Sequence, residues 1–252
     1  MKATGTIVFG VHPDPRAVAP PALAAGEVHA WRLDLSRGCP LEEDPALHAD
    51  DWYRANRFAF ERDRKRFLLA RRALRCVLAG YLGLPARRVP ITFGHHGKPL
   101  LAGAHGLGFN LSHSGDLGLL AVCRAAHVGA DVEEVVPRGN VRELARSVCS
   151  AEEQQSLDDV DETGLLAAFL TCWTRKEAVL KALGTGLVLE PSRVNVGILT
   201  ARGRVAIGGE PGDGFVVVES ITCDDQFIGA VAVAGGMSVT RVLELNALGA
   251  SA

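Results

Sequence analysis

The stretch from Leu117 to Glu133, LGLLAVCRAAHVGADVE, decides how this chain is divided. It reads as two apolar strands, 117–123 and 127–133, around a turn at 124–126. Upstream, EVHAWRLDL (27–35) is a strand and the acidic segment 41–56 a short helix with its connection. A long helix is expected over 57–84, with Phe60, Phe67, Leu68, Ala70, Leu74, Val77, Leu78 and Tyr81 largely at helical spacing. Gly83 and Pro85 stop it, and 90–94 and 109–111 are strand-like. Downstream, 141–148 is helical and Ser150 with Glu153 forms a capping-box pattern that opens another helix. A strong helix over 164–183 ends at Gly184, and short strands follow at 194–198, 204–207, 215–220, 227–234 and 238–245. Strand, long helix and strands therefore occur twice. The order predicts an α+β fold of two similar halves, 27–126 and 127–252, behind an irregular Pro/Ala-rich arm at 1–26.

Composition narrows the class. The 252 residues are 48% hydrophobic and 22% charged, which fits a folded globular chain and excludes a disordered or collagen-like one. A net charge of -2 gives no broad basic field, so no nucleic-acid partner is expected. The six cysteines show no CxxC spacing and read as buried thiols of a reducing compartment. The apolar stretch 4–11 is too short for a secretory signal and runs into Pro13, Pro15, Pro20 and Pro21; no run approaches the roughly 18 residues of a membrane span. A cytoplasmic protein without membrane association is expected. Of 27 basic residues, only Lys2, Lys65, Lys98, Lys176 and Lys181 are lysines.

Several constellations carry possible chemistry. In GADVE (129–133), Asp131 and Glu133 lie two apart on a strand and share a face. Two such carboxylates repel unless a cation or proton lies between them, and hard oxygen ligands suit Mg²⁺. Taken alone, the pair is as readily a solvated strand end. In WTRKEAVLK (173–181), Trp173, Glu177 and Lys181 are spaced i, i+4, i+8 on one helical face. Such a Glu/Lys pair is commonly a surface stabiliser, yet the helix around it is apolar, which favours a site. FNLSHSGD (109–116) offers Ser112, His113 and Ser114 as donors to phosphate oxygens and is no GxSxG elbow. GHHGKPL (94–100) has adjacent histidines whose side chains would diverge on an extended chain, which argues against a metal pair. Arg62, Arg64, Lys65, Arg66 and Arg71 line the first long helix, as a solvated face or a phosphate patch.

Taken in order, these pieces resemble the 4′-phosphopantetheinyl transferases: Asp63-x-x-Arg66, Gly97-Lys98-Pro99, Phe109-Asn110-Leu111-Ser112-His113-Ser114, Gly129-Ala130-Asp131-Val132-Glu133, and Trp173-x-x-Lys176-Glu177-Ala178-x-x-Lys181. The match covers about 54–190, just over half the chain. Length and doubled layout resemble the monomeric surfactin-synthetase-activating type, with halves related by a pseudo-twofold and the active site in the cleft between them. The resemblance implies transfer of the phosphopantetheine arm of coenzyme A to a serine of an apo carrier protein, with release of 3′,5′-ADP. By the same resemblance, Asp131, Glu133 and Glu177 would hold Mg²⁺ on the pyrophosphate, with Asp131 also counted among the coenzyme contacts. Lys181 would neutralise phosphate charge, and Ser112 and His113 would contact phosphates, the histidine near the 3′-phosphate. Arg66 would serve the nucleotide phosphates; Gly97, Lys98 and Pro99 would border the adenine. Glu61 stands where the family often carries a base, so Arg62 or Arg57 would have to reach the phosphate instead.

The chemistry is consistent with this. Serine attack on a pyrophosphate phosphorus is promoted by alignment and charge stabilisation. Glu177, Lys181 and His113 are the catalytic candidates. Glu177 would take the serine proton directly or through a water on the ion, and the sequence leaves both open. Other readings are a carrier- or nucleotide-binding module of the same fold with weak catalysis, and a phosphoanhydride hydrolase. Carriers of fatty-acid, polyketide or peptide synthases are equally compatible. Carrier proteins are commonly acidic, which makes Arg138, Arg142 and Arg146 candidates for the docking surface. Three of the five lysines, Lys98, Lys176 and Lys181, fall inside the family motifs. In so arginine-rich a chain, that implies a need for a compact ammonium at a phosphate site.

Overall fold

The computed structural model describes residues 18–37, 41, 44–94, 97–124, 127–184, 189–198, 200–207, 214–237 and 239–245, together with strand β1 (Ile7–Val8). His95, His96, Cys39, Ala125 and Ala126 and nearly all of 1–17 lie outside the described residues.

Strand β2 (Glu27–Asp34) comes first after the arm, followed by α1 (Ala49–Ala55), α2 (Glu61–Leu82), β3 (Ile91–Phe93) and β4 (Pro99–Leu101). Then come β5 (Gly108–Ser114), β6 (Leu117–Cys123), β7 (Val128–Glu134), α3 (Val141–Val148), α4 (Ala151–Asp158) and α5 (Glu162–Leu183). Strands β8 (Arg202–Ala206), β9 (Phe215–Asp224), β10 (Phe227–Ala234) and β11 (Val239–Leu245) complete the chain. Gly83 and Gly184 end the two long helices in the left-handed conformation that only glycine adopts without strain.

The strands form a sheet of order β1-β11-β2-β6-β5, a second of order β7-β10-β9-β8, and the small β3–β4 hairpin. The inner faces of the two large sheets meet. Val28, Ala30, Leu119 and Ala121 from one pack with Val128, Ala130, Val132, Val231 and Val233 from the other. Each outer face carries one long helix. On α2, Leu68, Leu74, Val77 and Leu78 cover Trp31, Leu33, Leu120 and Val122. On α5, Phe169, Leu170, Val179 and Leu180 cover Val216, Val218, Ala230 and Ala232. Period-two alternation sends neighbours in β2 and β6 to opposite cores, so both faces of these strands are apolar.

The result is an α+β fold of two layered halves, as the element order predicts. Three details differ from the expectation. The segment 194–198 is not a strand; Val194 and Val196 instead pack as loop residues against α5, and their carbonyls accept from buried side chains of that helix. Strand β5 continues to Ser114, because β6 pairs with it through Ser114↔Leu117. Strand β11 crosses the expected 126/127 division. It runs parallel to β2 from Val239↔Glu27 to Leu245↔Leu33, so the end of the chain helps build the first sheet. The described cysteines, Cys76, Cys123, Cys149, Cys172 and Cys223, are buried and outside any disulfide. No described helix is long and apolar enough to cross a membrane.

Candidate active site

The site lies where β5, β7 and α5 converge. Strand β5 places Asn110, Ser112 and Ser114 on one face by period-two alternation. The Asn110 side-chain oxygen accepts from the Ala130 N–H at 2.9 Å, which stitches the first half to β7. Two residues on, Ser112 Oγ donates to Asp131 Oδ1 at 2.8 Å; two further, Ser114 Oγ donates to Glu133 Oε2 at 3.2 Å. Gly129 lets α5 lie directly on β7, since a Cβ there would fall 1.9 Å from the Ala178 carbonyl oxygen. This contact lays the Trp173–Glu177–Lys181 face of α5 beside Asp131 and Glu133.

Lys181 Nζ sits 2.5 Å from Asp131 Oδ1 and donates to Ser112 Oγ at 3.2 Å. Trp173 Nε1 donates to Glu133 Oε1 at 3.3 Å, and Arg138 Nη2 to Glu133 Oε2 at 2.6 Å. Asp131 is 4% exposed, and its second oxygen, Oδ2, is buried without a hydrogen-bond partner. Burial raises the Asp131 carboxyl above its ordinary range; Lys181 and Ser112 oppose the rise and Glu133 adds to it. Burial also raises Glu177, with Lys181 opposing and Asp131 and Glu133 reinforcing. Three acids thus lie within electrostatic reach of one another, with Lys181 on Asp131 and Arg138 on Glu133. An orphaned buried carboxylate oxygen, flanked by two further acids, fits a hard divalent cation.

His113 alternates to the other face of β5. Loss of hydration lowers its pKa first, followed by the nearby Lys181 and Arg66 cations, against Asp63. Arg66 Nε donates to Asp116 at 2.8 Å, with Asp63 at 3.6 Å, so this cation sits at the β5–β6 turn close to His113. Arg62 is 73% exposed beside Asp63, on the outer turn of α2. Gly97 takes a φ of 73° before Lys98 and β4.

Two of the motif lysines do not turn their ammonium groups to the acids. Lys98 Nζ donates to the carbonyls of Val128 at 2.9 Å and Lys181 at 2.5 Å, tying the β3–β4 hairpin to β7 and the end of α5. Lys176 is wholly buried 2.6 Å from Glu153 and donates to the carbonyls of Pro191 and Val194. Its neighbour Arg175 is also buried and holds the carbonyls of Val196 and Thr200. The charges within apolar α5 therefore serve two ends: Glu177 and Lys181 face the site, whereas Arg175 and Lys176 anchor the 191–200 segment. Of the three motif lysines, only Lys181 presents its ammonium to the acids. Sequence reading did not find Asn110 as the partner of the Ala130 N–H, or Ser114 and Arg138 as partners of Glu133. The two β5 residues carried a signal, their even spacing from Ser112; Arg138, in a loop after β7, carried none.

Comparison with known proteins agrees with this layout. A sequence model described as "4'-phosphopantetheinyl transferase, N-terminal" matches residues 45–125, and one described as "4'-phosphopantetheinyl transferase superfamily" matches residues 127–231. The 4'-phosphopantetheinyl transferase HetI of Nostoc sp. (strain PCC 7120) is 36% identical over 219 residues, covering 84% of this chain and 90% of that protein. The 4'-phosphopantetheinyl transferase AcpT of Escherichia coli (strain K12) is 44% identical over 94 residues, 37% of this chain and 48% of the relative. The human L-aminoadipate-semialdehyde dehydrogenase-phosphopantetheinyl transferase is 27% identical over 203 residues, 73% of this chain and 66% of the relative. The two models adjoin where the halves meet, the HetI match runs through both, and the chain is an enzyme of the 4′-phosphopantetheinyl transferase superfamily.

Proposed function

We propose that this enzyme transfers the 4′-phosphopantetheine arm of coenzyme A to a serine hydroxyl of an apo carrier protein, with Mg²⁺ as cofactor and 3′,5′-ADP as the other product. The observation that carries this reading is the acid set: Asp131 with an unpartnered buried Oδ2, beside Glu133 and Glu177, with Lys181 at 2.5 Å. Asp131, Glu133 and Glu177 would hold the ion. When bound, Mg²⁺ supplies charge neutralisation of the pyrophosphate oxygens.

The chain's own residues supply the rest. Lys181, one-third exposed, places an ammonium where a phosphate oxygen can replace its contact with Ser112. Glu177 would take the serine proton, directly or through a water, as the hydroxyl attacks phosphorus. The oxygen–phosphorus bond forms as the bond from that phosphorus to the bridging pyrophosphate oxygen breaks, and 3′,5′-ADP leaves. His113, on the other face of β5, and Arg66, paired with Asp116 at the β5–β6 turn, would receive the nucleotide phosphates of coenzyme A. Lys98 and Gly97 shape the adjoining hairpin, with Pro99 opening β4.

On α3, Arg142 is paired with Asp158 and Glu162, and Arg146 and Leu144 are exposed; Arg138, in the loop before α3, is turned to Glu133. Arg146 with the apolar Leu144 is the part of the expected basic surface offered to an acidic carrier.

The test is a mass measurement. The purified protein is incubated with coenzyme A, Mg²⁺ and a panel of apo carrier proteins. A carrier gaining one phosphopantetheine, with 3′,5′-ADP appearing in equal amount, supports the reading. Coenzyme A cleavage in the absence of any carrier would identify a hydrolase instead.

A further inference from the structure

The two oxygens of Glu133 are held differently from those of Asp131. Oε1 accepts from Trp173, and Oε2 accepts from both Arg138 Nη2 and Ser114 Oγ. Asp131 keeps Oδ2 without a partner. Arg138 is anchored only lightly elsewhere. Its Nη2 makes a long contact of 3.4 Å to the Glu134 carbonyl, and its Nε is buried with no partner. It belongs to no helix or strand, and Gly139 follows it in a left-handed conformation, φ 30°. A guanidinium whose one short contact is to a carboxylate, in a segment outside helix and strand, is a counter-ion rather than a fixed strut.

We propose that Arg138 is a positioning residue that parks Glu133 in an internal ion pair and releases it to a divalent cation only when the diphosphate of coenzyme A arrives. The proposal rests on the reading of Asp131, Glu133 and Glu177 as the cation-holding set. With Lys181 on Asp131 and Arg138 on Glu133, the empty acid set already carries two positive charges. A lone divalent ion must enter against both. A coenzyme diphosphate offers its oxygens to both cations, drawing Lys181 from Asp131 and Arg138 from Glu133, and the ion then enters the freed acids.

The test is Mn²⁺ binding to the metal-free protein, read by loss of the free-ion electron paramagnetic resonance signal, with and without coenzyme A. Removing Arg138 by Arg138→Gln should tighten Mn²⁺ binding without coenzyme by about tenfold. The gain in affinity that coenzyme brings should shrink by the same factor. Arg138→Lys should restore wild-type behaviour, and Arg142→Gln, a cation of the same helix region paired elsewhere, should change nothing. Circular dichroism checks that each variant is folded. Unchanged or weaker Mn²⁺ binding in Arg138→Gln overturns the proposal, as does an equal gain in Arg142→Gln. Asp131→Asn separates the two levels: if it abolishes Mn²⁺ binding while Arg138→Gln has no effect, the acid set stands and the Arg138 role falls. If Asp131→Asn binds as wild type does, the acid-set reading falls and the Arg138 role falls with it.

Discussion

Gly129 of β7 and Ala178 of α5 touch backbone to backbone: a Cβ on the glycine would lie 1.9 Å from the Ala178 carbonyl oxygen and 2.5 Å from the Ala182 N–H nitrogen. Neither neighbour is a side-chain tip that could swing aside. Gly129→Ala should force α5 away from β7, cost at least about 2 kcal/mol of stability, and separate Glu177 and Lys181 from Asp131 and Glu133. Chemical denaturation measures the first effect. Transfer activity measured well below the new melting temperature measures the second, and it should fall even where the variant is fully folded.

The acid set should be chemically indispensable and structurally dispensable. Asp131→Asn and Glu177→Gln keep side-chain volume while removing a charge whose burial is itself unfavourable. Both should lower transfer by at least about a thousandfold, in line with losing a principal electrostatic group. Melting temperatures without metal should be unchanged or higher. Wild-type turnover by the double variant would sink the mechanism.

Lys181 and Lys98 should respond differently to arginine. Lys181 fits its ammonium between Asp131 Oδ1 and Ser112 Oγ, a space for a point charge rather than a planar fork. Lys181→Arg should weaken coenzyme A binding about tenfold by isothermal titration. Lys98 donates to two backbone carbonyls, including that of Lys181, near the C-terminal end of α5 where positive charge is favoured. Lys98→Met should therefore act mainly on stability, with a lowered melting temperature and a smaller loss of coenzyme affinity than Lys181→Arg.

Lys176 and Glu153 form a fully buried pair, 0% and 1% exposed, whose remaining hydrogen bonds go to Pro191 and Val194 carbonyls and to the Ser150 and Val196 N–H groups. Deleting one partner strands the other charge in the core. Lys176→Met alone should cost about 3–5 kcal/mol, and a double change with Glu153→Gln should recover part of that loss. A double-mutant cycle in denaturant reads the coupling directly. Strict additivity would show that the pair is not the unit the geometry describes.

His29 gives the chain an acid-side weakness far from the acids of the site. Its ring is 0% exposed, with Nδ1 2.5 Å from the Tyr81 hydroxyl, which also accepts from Trp31 Nε1 at 2.9 Å. Trp31 only donates, so the Tyr81 hydrogen is available to Nδ1 and the ring sits neutral. Burial lowers its pKa; Glu27 pulls the other way and Arg241 adds to the lowering. The folded chain therefore binds this proton less readily than the unfolded one. The stability contribution is full above the ordinary value of 6.5 and is lost as pH falls below it toward the folded value. Melting temperature should drop on going from pH 7 to pH 5, and His29→Gln should flatten that slope. A slope unchanged in His29→Gln would assign the acid sensitivity to other groups.

The sequence determined the α+β class, the twofold order of strands and long helices, and the two faces on which the candidate acids lie. These follow from local rules: strand alternation puts Asp131 and Glu133 on one face, helical spacing puts Trp173, Glu177 and Lys181 on another, and glycines stop both long helices. Only the tertiary structure decided which charges meet. Arg175, Lys176, Glu177 and Lys181 look alike in a string of letters. A rotation of about 100° per residue sends the first two into the core and the last two to the site, and which side is core depends on where β7 and β9 lie. The roles of Lys98, Arg138 and β11 were hidden for the same reason. Lys98 and β11 are defined by partners far away in the chain, the carbonyl of Lys181 and the backbone of β2, and Arg138 by a carboxylate five residues back across an irregular loop; no local pattern encodes such partners.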